Sequence, residues 1–431
     1  MEDDAGTRPP GRGDVVRAAG VVAGATLASR ILGFVRDLVV ARAFGAGLVT
    51  DAFFVAFRLP NLLRRLLAEG ALSSAFIPVF TDYLTTRDRT EAVRMYRAVS
   101  GAMLAVLVLV TLAGVALAPL LVRLMAPGFF ADPAVGSLTV HLTRLMFPYL
   151  LFMGLGALAM GMLNAQRHFL FPALSPVALN LGIIAAVFLL VPHLPRPVLG
   201  LAVGVLAGGV GQWAIQLPAL AARGMLVRPT LDLRHPAVSR VARLMTPVLV
   251  GQSASHLNTL VNTMVASFLG GGRVSYLYYA DRLMEFPLGV FGVAIATAVL
   301  PTLSEHAAAR REPALRETLS FALRLAAFIS APAAAGLLVL REPLVRVLYQ
   351  RGEFGPAETA GTATALGFYA LGLVGLVSAK IGVQAFFALG DTRTPVRVAV
   401  GAMGLNSVLA VGLALPLAHG GLALATSCAA T

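Results

Sequence analysis

A single cysteine, Cys428, stands in the 431 residues, which excludes an internal disulfide and a cysteine metal cluster. The seven histidines show no HExxH or related ligand spacing, so neither a metal nor a cofactor is expected. Charge is scarce too: 13% of the residues are Asp, Glu, Lys or Arg, 58% are apolar, and the mean hydropathy is +0.81. That composition excludes an ordinary soluble domain and points to a bilayer. Carboxylates are scarcest where a cation exporter would need them, since segments 98–122, 197–222, 239–269 and 395–416 hold none. No paired acids, serine–lysine pair or histidine–acid pair lies at a consistent depth, so an intramembrane enzyme finds no support either.

What is present is a series of apolar stretches, each long enough to cross about 30 Å of hydrocarbon. Some are uncharged and others are interrupted by one or a few charges. Together they predict an all-α polytopic protein with eleven membrane helices and the beginning of a twelfth. The expected spans are 17–44, 48–82, 98–125, 134–164, 170–191, 197–222, 239–269, 274–305, 316–340, 357–388, 395–416 and 420 onward. Residues 1–14 read as a disordered tail ahead of a retained first helix, because Arg30, Arg36 and Asp37 interrupt the apolar run that a signal peptide would need.

The formal charge of +13 does not require a nucleic-acid partner, because loop arginines set membrane topology. On the side of the N-terminus lie Arg87, Arg89, Arg94, Arg97, Arg167, Arg223, Arg228, Arg234, Arg240, Arg243, Arg310, Arg311, Arg316, Arg393 and Arg397, besides those of the tail. The other side has fewer than half as many: Arg42, Arg123, Arg196, Arg273, Arg341, Arg346 and Arg351. The bias places the N-terminus and the tail in the cytoplasm.

The chain repeats itself. Phe44-Gly45-Ala46-Gly47, an aromatic run and Ala56-Phe57-Arg58-Leu59 recur as Phe268-Leu269-Gly270-Gly271, an aromatic run and Ala280-Asp281-Arg282-Leu283, at an offset of 224. Pro172 is echoed by Pro395, Asn180 by Asn406, and Gly200-Leu201-Ala202 by Gly421-Leu422-Ala423. Two six-helix bundles follow, residues 15–222 and 239–431, joined by a cytoplasmic linker at 223–238. Six is even, so the halves are parallel repeats, with a central cavity expected where they meet. By this register the sequence ends just inside the second half's sixth helix, which leaves that helix incomplete.

Arg30, Arg58 and Arg282 lie inside apolar segments, where an arginine costs about 3 kcal/mol unless it faces protein, water or an anion. Arg30 and Asp37 are two turns apart on one face, and Arg58, Asn61 and Arg65 share another. Arg65 can pair with Glu69, and Arg282 with Glu285, while Asp281 and Glu285 share a face. Each has a plainer reading. Arg36-Asp37 can snorkel near the outer helix end, Asp51 can be a helix cap, and the arginines can be buried salt bridges. Arg30 and Arg58 have no acid at helical spacing, which favours an anion site. Guanidinium groups grip diphosphate or carboxylate oxygens in pairs and keep their charge when buried, so the cargo is expected to be anionic and phosphorylated.

Five strings then become recognisable: Ser29-Arg30-Ile31-Leu32-Gly33-Phe34-Val35-Arg36-Asp37, Thr50-Asp51-Ala52-Phe53-Phe54-Val55-Ala56-Phe57, Leu59-Pro60-Asn61-Leu62-Leu63-Arg64-Arg65, Ala68-Glu69-Gly70-Ala71 and Tyr278-Tyr279-Ala280-Asp281-Arg282-Leu283-Met284-Glu285-Phe286-Pro287. From about residue 15 onward the chain resembles the MurJ (MviN) family of lipid II flippases, relatives of the MATE multidrug transporters. The resemblance implies a flippase of the bacterial inner membrane that carries undecaprenyl-diphosphate-linked peptidoglycan precursor outward by alternating access. It implies membrane lipids and lipid II as partners, with cell-wall synthesis proteins as further candidates. The family's required arginines fall on Arg30, Arg36, Arg64 and Arg282, and its supporting polar positions on Ser29, Asp51, Asn61, Glu69, Asp281 and Glu285. Arg58 is not among them. Members usually have fourteen helices, the last two forming a lipid-tail groove that this sequence stops short of. Some relatives couple to a cation held by second-half acids, which are missing here. A flippase for another polyprenyl-diphosphate glycan and a MATE-like drug or cation antiporter are the alternatives.

Overall fold

Both kinds of stretch, uncharged and arginine-interrupted, form helices. The computed structural model describes residues 12–64 and 72–431, and among them there is no strand. The first helices are α1 (Arg12–Phe44), α2 (Leu48–Arg64), α3 (Leu72–Thr86), α4 (Arg89–Ala116), α5 (Ala118–Met125), α6 (Pro133–Met146), α7 (Tyr149–Ala165), α8 (Leu170–Leu189), α9 (Val198–Ala214) and α10 (Leu217–Ala222). Then come α11 (Pro236–Ser267), α12 (Arg273–Pro287), α13 (Val293–Ala308), α14 (Glu312–Tyr349), α15 (Pro356–Leu371), α16 (Leu373–Ala388) and α17 (Arg393–Ala430).

Among the described residues, seven helices are long and apolar enough to cross a membrane, or eight when α15 and α16, bent by 47°, count as one. The expected count of eleven and part of a twelfth is larger because α1, α2 with α3, and α11 fall outside that set and α17 joins two expected spans. Its backbone leaves helical geometry at Ala418 (φ 48°), just after Pro416, so the expected boundary survives as a kink. Proline and glycine mark the other breaks: Pro148 separates α6 from α7, and Pro287 precedes a π turn, Leu288–Gly292, that links α12 to α13.

The chain divides into two compact units that interleave in sequence. Unit 1 holds the described part of Met1–Arg36 together with Arg58–Leu117 and Thr143–Gln252, and unit 2 holds Asp37–Phe57, Ala118–Leu142 and Ser253–Thr431. Unit 1 packs α7, α8 and α9 through small residues. A Cβ on Gly182 would stand 2.6 Å from the Gly208 Cα, and one on Gly204 would stand 2.6 Å from the Ala186 Cβ, so α8 and α9 touch backbone to backbone. Helix α3 adds Phe76 and Phe80, stacked at 5.3 Å, against Tyr96 of α4. In unit 2, α12 lies among α14 and α15, with Tyr279, Tyr349 and Phe354 packed ring to ring. A run of amides ties α11 to α17: Asn406 donates to Asn258 and to Asn262 (3.0 Å), and Asn262 donates to the Thr426 hydroxyl (3.1 Å).

Candidate functional site

Three polar nodes hold the sequence-expected residues. The first, in unit 2, centres on Arg282 of α12. Its Nε donates to Asp37 Oδ2 of α1 at 2.7 Å, and its terminal nitrogens donate to Glu285 Oε2 (2.7 Å) and the Tyr278 hydroxyl (3.3 Å). The Tyr278 hydroxyl in turn donates to Asp37 Oδ1 (3.2 Å), and its ring stacks on Phe54 at 3.9 Å. Helix periodicity builds the node, because residues 278, 282 and 285 recur at three- and four-residue steps along one face. The Arg282–Glu285 pair is therefore local and legible in the sequence, whereas Asp37 arrives from 245 residues away. Asp37 is 3% exposed and Arg282 31%, so the acid is sealed while the guanidinium retains an open edge.

The second node is Asp51, fully buried at the start of α2. Its Oδ1 accepts from the Ser275 amide (2.7 Å) and hydroxyl (2.5 Å), and its Oδ2 accepts from the Gly272 amide (2.7 Å). Asp51 is thus a helix cap, but for α12 rather than for its own helix. Gly272 is held at φ 83°, and a Cβ there would stand 2.4 Å from the Ala46 carbonyl, so the turn that offers these amides requires glycine. Asp51 and Ser275 are also separated by the repeat offset of 224.

The third node lies in unit 1. Arg36 donates to Asn180 Oδ1 at 3.2 Å, and the Asn180 amide donates to the Ser29 carbonyl at 3.1 Å. Arg36 is 9% exposed and Asp37 2%, which overturns the reading that this pair snorkels to the helix end. Arg64 donates to Asn61 Oδ1 at 2.8 Å, one turn back on α2. Arg30 is exposed and makes no ion pair among the described residues, and Asp281 is exposed on α12. Arg58 is partly buried, and Arg65 and Glu69 lie outside the described residues.

The Arg282–Glu285 pair stands as the spacing expects, and Asp37 joins it as a second acid from α1. What the sequence does not show is that Asp37 and Tyr278 meet Arg282 and that Asn180 meets Arg36. The available signal was polarity at membrane depth: an acid and an amide inside apolar helices need partners, and each has one.

These residues, in this setting, match a known family. The family model for "Lipid II flippase MurJ" matches residues 40–431. The chain belongs to the MurJ family. It is 41% identical to a probable lipid II flippase MurJ of Vibrio cholerae over 417 residues, which cover 95% of this chain and 79% of the relative. It is 39% identical to the lipid II flippase MurJ of Burkholderia cenocepacia, covering 95% and 80%. Among solved structures, a lipid II flippase MurJ in an inward closed conformation superposes with a TM-score of 0.81 at 28% identity, over 95% of this chain and 84% of the other. An inward-facing multidrug resistance MATE transporter superposes at 0.73 with 16% identity, over 96% and 95%, which shows a shared fold alone. The chain is a multi-pass membrane protein of that family.

Proposed function

We propose that this MurJ-family chain is a lipid II flippase of the bacterial inner membrane, with its N-terminus in the cytoplasm. The observation that carries the reading is Arg282, a guanidinium kept at membrane depth by Asp37 and Glu285 yet open at one edge. Such a group is charged in every state and presents paired donors to a diphosphate. Entry of the anion would exchange one set of acceptor oxygens for another, so the arginine is never left unpaired. By the family resemblance Arg30, Arg36 and Arg64, with Ser29, Asn61, Glu69, Asp281 and Glu285, also serve the headgroup, and Asp51 acts from inside unit 2 by fixing the start of α12, while the polyprenyl tail stays in lipid. The two repeats, 15–222 and 239–431, rock to expose the headgroup to one side and then the other. Transport of this kind makes and breaks no covalent bond.

The decisive experiment is genetic replacement: the gene should restore growth to bacteria depleted of their own lipid II flippase. Lysis despite normal membrane insertion would refute the cargo. A drug antiporter, which shares the fold, is separated by the sign of its cargo, since an arginine-lined site repels lipophilic cations. Saturable ethidium binding that shields Asp281 or Glu285 from carboxyl modification would favour the antiporter. Salt-sensitive binding of a lipid diphosphate, whatever its glycan, favours the flippase, and competition between glycans then identifies the headgroup. Orientation is tested in a Cys428→Ser background: cysteines at Thr90 and Ser239 should be protected from an impermeant thiol reagent in intact cells, and one at Gly128 should react.

A further inference from the structure

Between α10 and α11 the chain runs as a non-helical strap, residues 223–235, laid along the outer face of α4. Main-chain bonds fix it there. The Thr230 amide donates to the Arg97 carbonyl (3.0 Å), the Arg97 Nε donates to the Arg228 carbonyl (3.2 Å), and Arg89 donates to the Arg223 carbonyl (2.8 Å). The strap sits so close that a Cβ on Gly101 would stand 2.1 Å from the Thr230 carbonyl oxygen.

This arrangement leaves a groove of about 440 Å³ between the strap residues Pro229 and Leu231 and one stripe of α4. The stripe is Gly101, Leu104, Val108 and Leu112, at three- and four-residue steps, and Arg97 continues it at the end nearest the strap. From Arg97 to Leu112 the helix rises about 22 Å, more than the roughly 15 Å depth of one leaflet's hydrocarbon. The groove is open: Leu231 is 70% exposed and Leu112 62%. At its mouth stand Arg97 and Arg228, both exposed and both starting from the same main-chain contact. The strap as a whole carries three arginines against one acid, Asp232. An apolar channel of leaflet length, closed by two guanidinium groups at one end, has the charge and shape of a phospholipid turned the other way round.

We propose that the strap and α4 form a site for one anionic glycerophospholipid, its phosphate on Arg97 and Arg228 and an acyl chain along Leu104, Val108 and Leu112. The loop arginine bias assigns this end of α4 to the cytoplasm, where anionic lipid meets juxtamembrane arginines. The site is distinct from the nodes around Arg282, Asp51 and Arg36 and stands whatever the transported cargo. Bound lipid would pin the strap against α4.

The probe is phosphatidylglycerol, compared with phosphatidylcholine of the same chains, bound to the purified full chain in detergent and counted by native mass spectrometry. Phosphatidylglycerol should bind more tightly, with an affinity that falls as salt rises. Arg97→Gln with Arg228→Gln should weaken it about thirtyfold, at about fivefold per arginine near an anionic headgroup. Glutamine at 97 can still donate to the Arg228 carbonyl, so the strap keeps its main-chain anchor. Ala105→Trp, which fills the groove without touching charge, should weaken both lipids, while Arg196→Gln on another loop should change nothing. Equal binding of the two lipids would make the groove an ordinary lipid-facing surface and overturn the proposal. So would affinity unchanged in the double variant, or reduced as much by Arg196→Gln.

Discussion

Asn180 and Asn406, which echo one another in the sequence at an offset of 226, do different work. In unit 1, Asn180 accepts from Arg36 and returns a bond to the Ser29 carbonyl, so its amide supports a charged side chain and clasps α1. In unit 2, Asn406 donates to the amides of Asn258 and Asn262, and its own Oδ1 has no partner among the described residues. In a bilayer a buried amide must bond to something, and the two asparagines meet that demand with different neighbours. The charged solution clasps α1 through Arg36 and the Ser29 carbonyl, and the neutral one joins α11 to α17.

The sharpest way to test that contrast is to remove charge from each unit. Arg282→Ala and Arg36→Ala should each abolish lipid II translocation with the protein still inserted, measured by flipping in depleted cells and by membrane fractionation. Lysine at 282 should rescue only in part, because an ammonium keeps the charge but loses the fork. Full flipping by Arg282→Ala would leave the unit 2 node a structural brace. Asp37→Ala should be milder, costing about 1.5–3 kcal/mol, because Arg282 loses one charged acceptor but keeps Glu285. Its double variant with Arg282→Ala should recover much of that loss in thermal melting.

Packing offers the next contrast. Gly182→Ala should cost about 1–3 kcal/mol, since the added methyl meets the Gly208 backbone. Gly404→Ala meets nothing within 4 Å and should be neutral in the same melting assay. Equal effects would mean that the α8–α9 seam is not the close contact described.

The asparagines themselves should separate by a smaller margin. Asn180→Leu removes a bond to a charged donor and should cost about 1.5–3 kcal/mol, whereas Asn406→Leu removes neutral bonds worth about 1 kcal/mol and one unsatisfied oxygen. A larger loss at Asn406 would break the comparison.

The smallest effect belongs to a loop of unit 1. His168 accepts through Nδ1 from Arg223 at 2.9 Å, and burial, aided by the Arg223 charge, lowers its pKa below the ordinary histidine value of 6.5. A histidine held neutral in the folded state binds more protons when unfolded. Its contribution to stability is therefore full above the unfolded pKa and is lost as pH falls through the folded one. Melting between about pH 7 and pH 5 should show a slight decline that His168→Gln removes.

Much of the architecture was legible because it is local. Hydropathy, proline and glycine located nearly every helix, and the kink at Ala418 falls where two spans were expected. The Arg282–Glu285 and Arg64–Asn61 pairs follow from helical spacing alone. The repeat also brought forward Asn180 and Asn406, although not what they bind. The span count was harder to read, since two expected spans join in α17 and only the kink at Ala418 marks their boundary.

The sequence by itself determined the all-helical class, the family and the short-range pairs, because a helix brings residues three and four apart together whatever surrounds it. Only the tertiary structure decided that Asp37 holds Arg282 across 245 residues and that Asp51 caps α12 rather than α2. It also decided that Arg36 is buried against Asn180. Those contacts depend on which helix faces meet. No local rule sets that, because in lipid many faces are equally apolar, and the choice falls to close packing and to the need of each buried polar group for a partner.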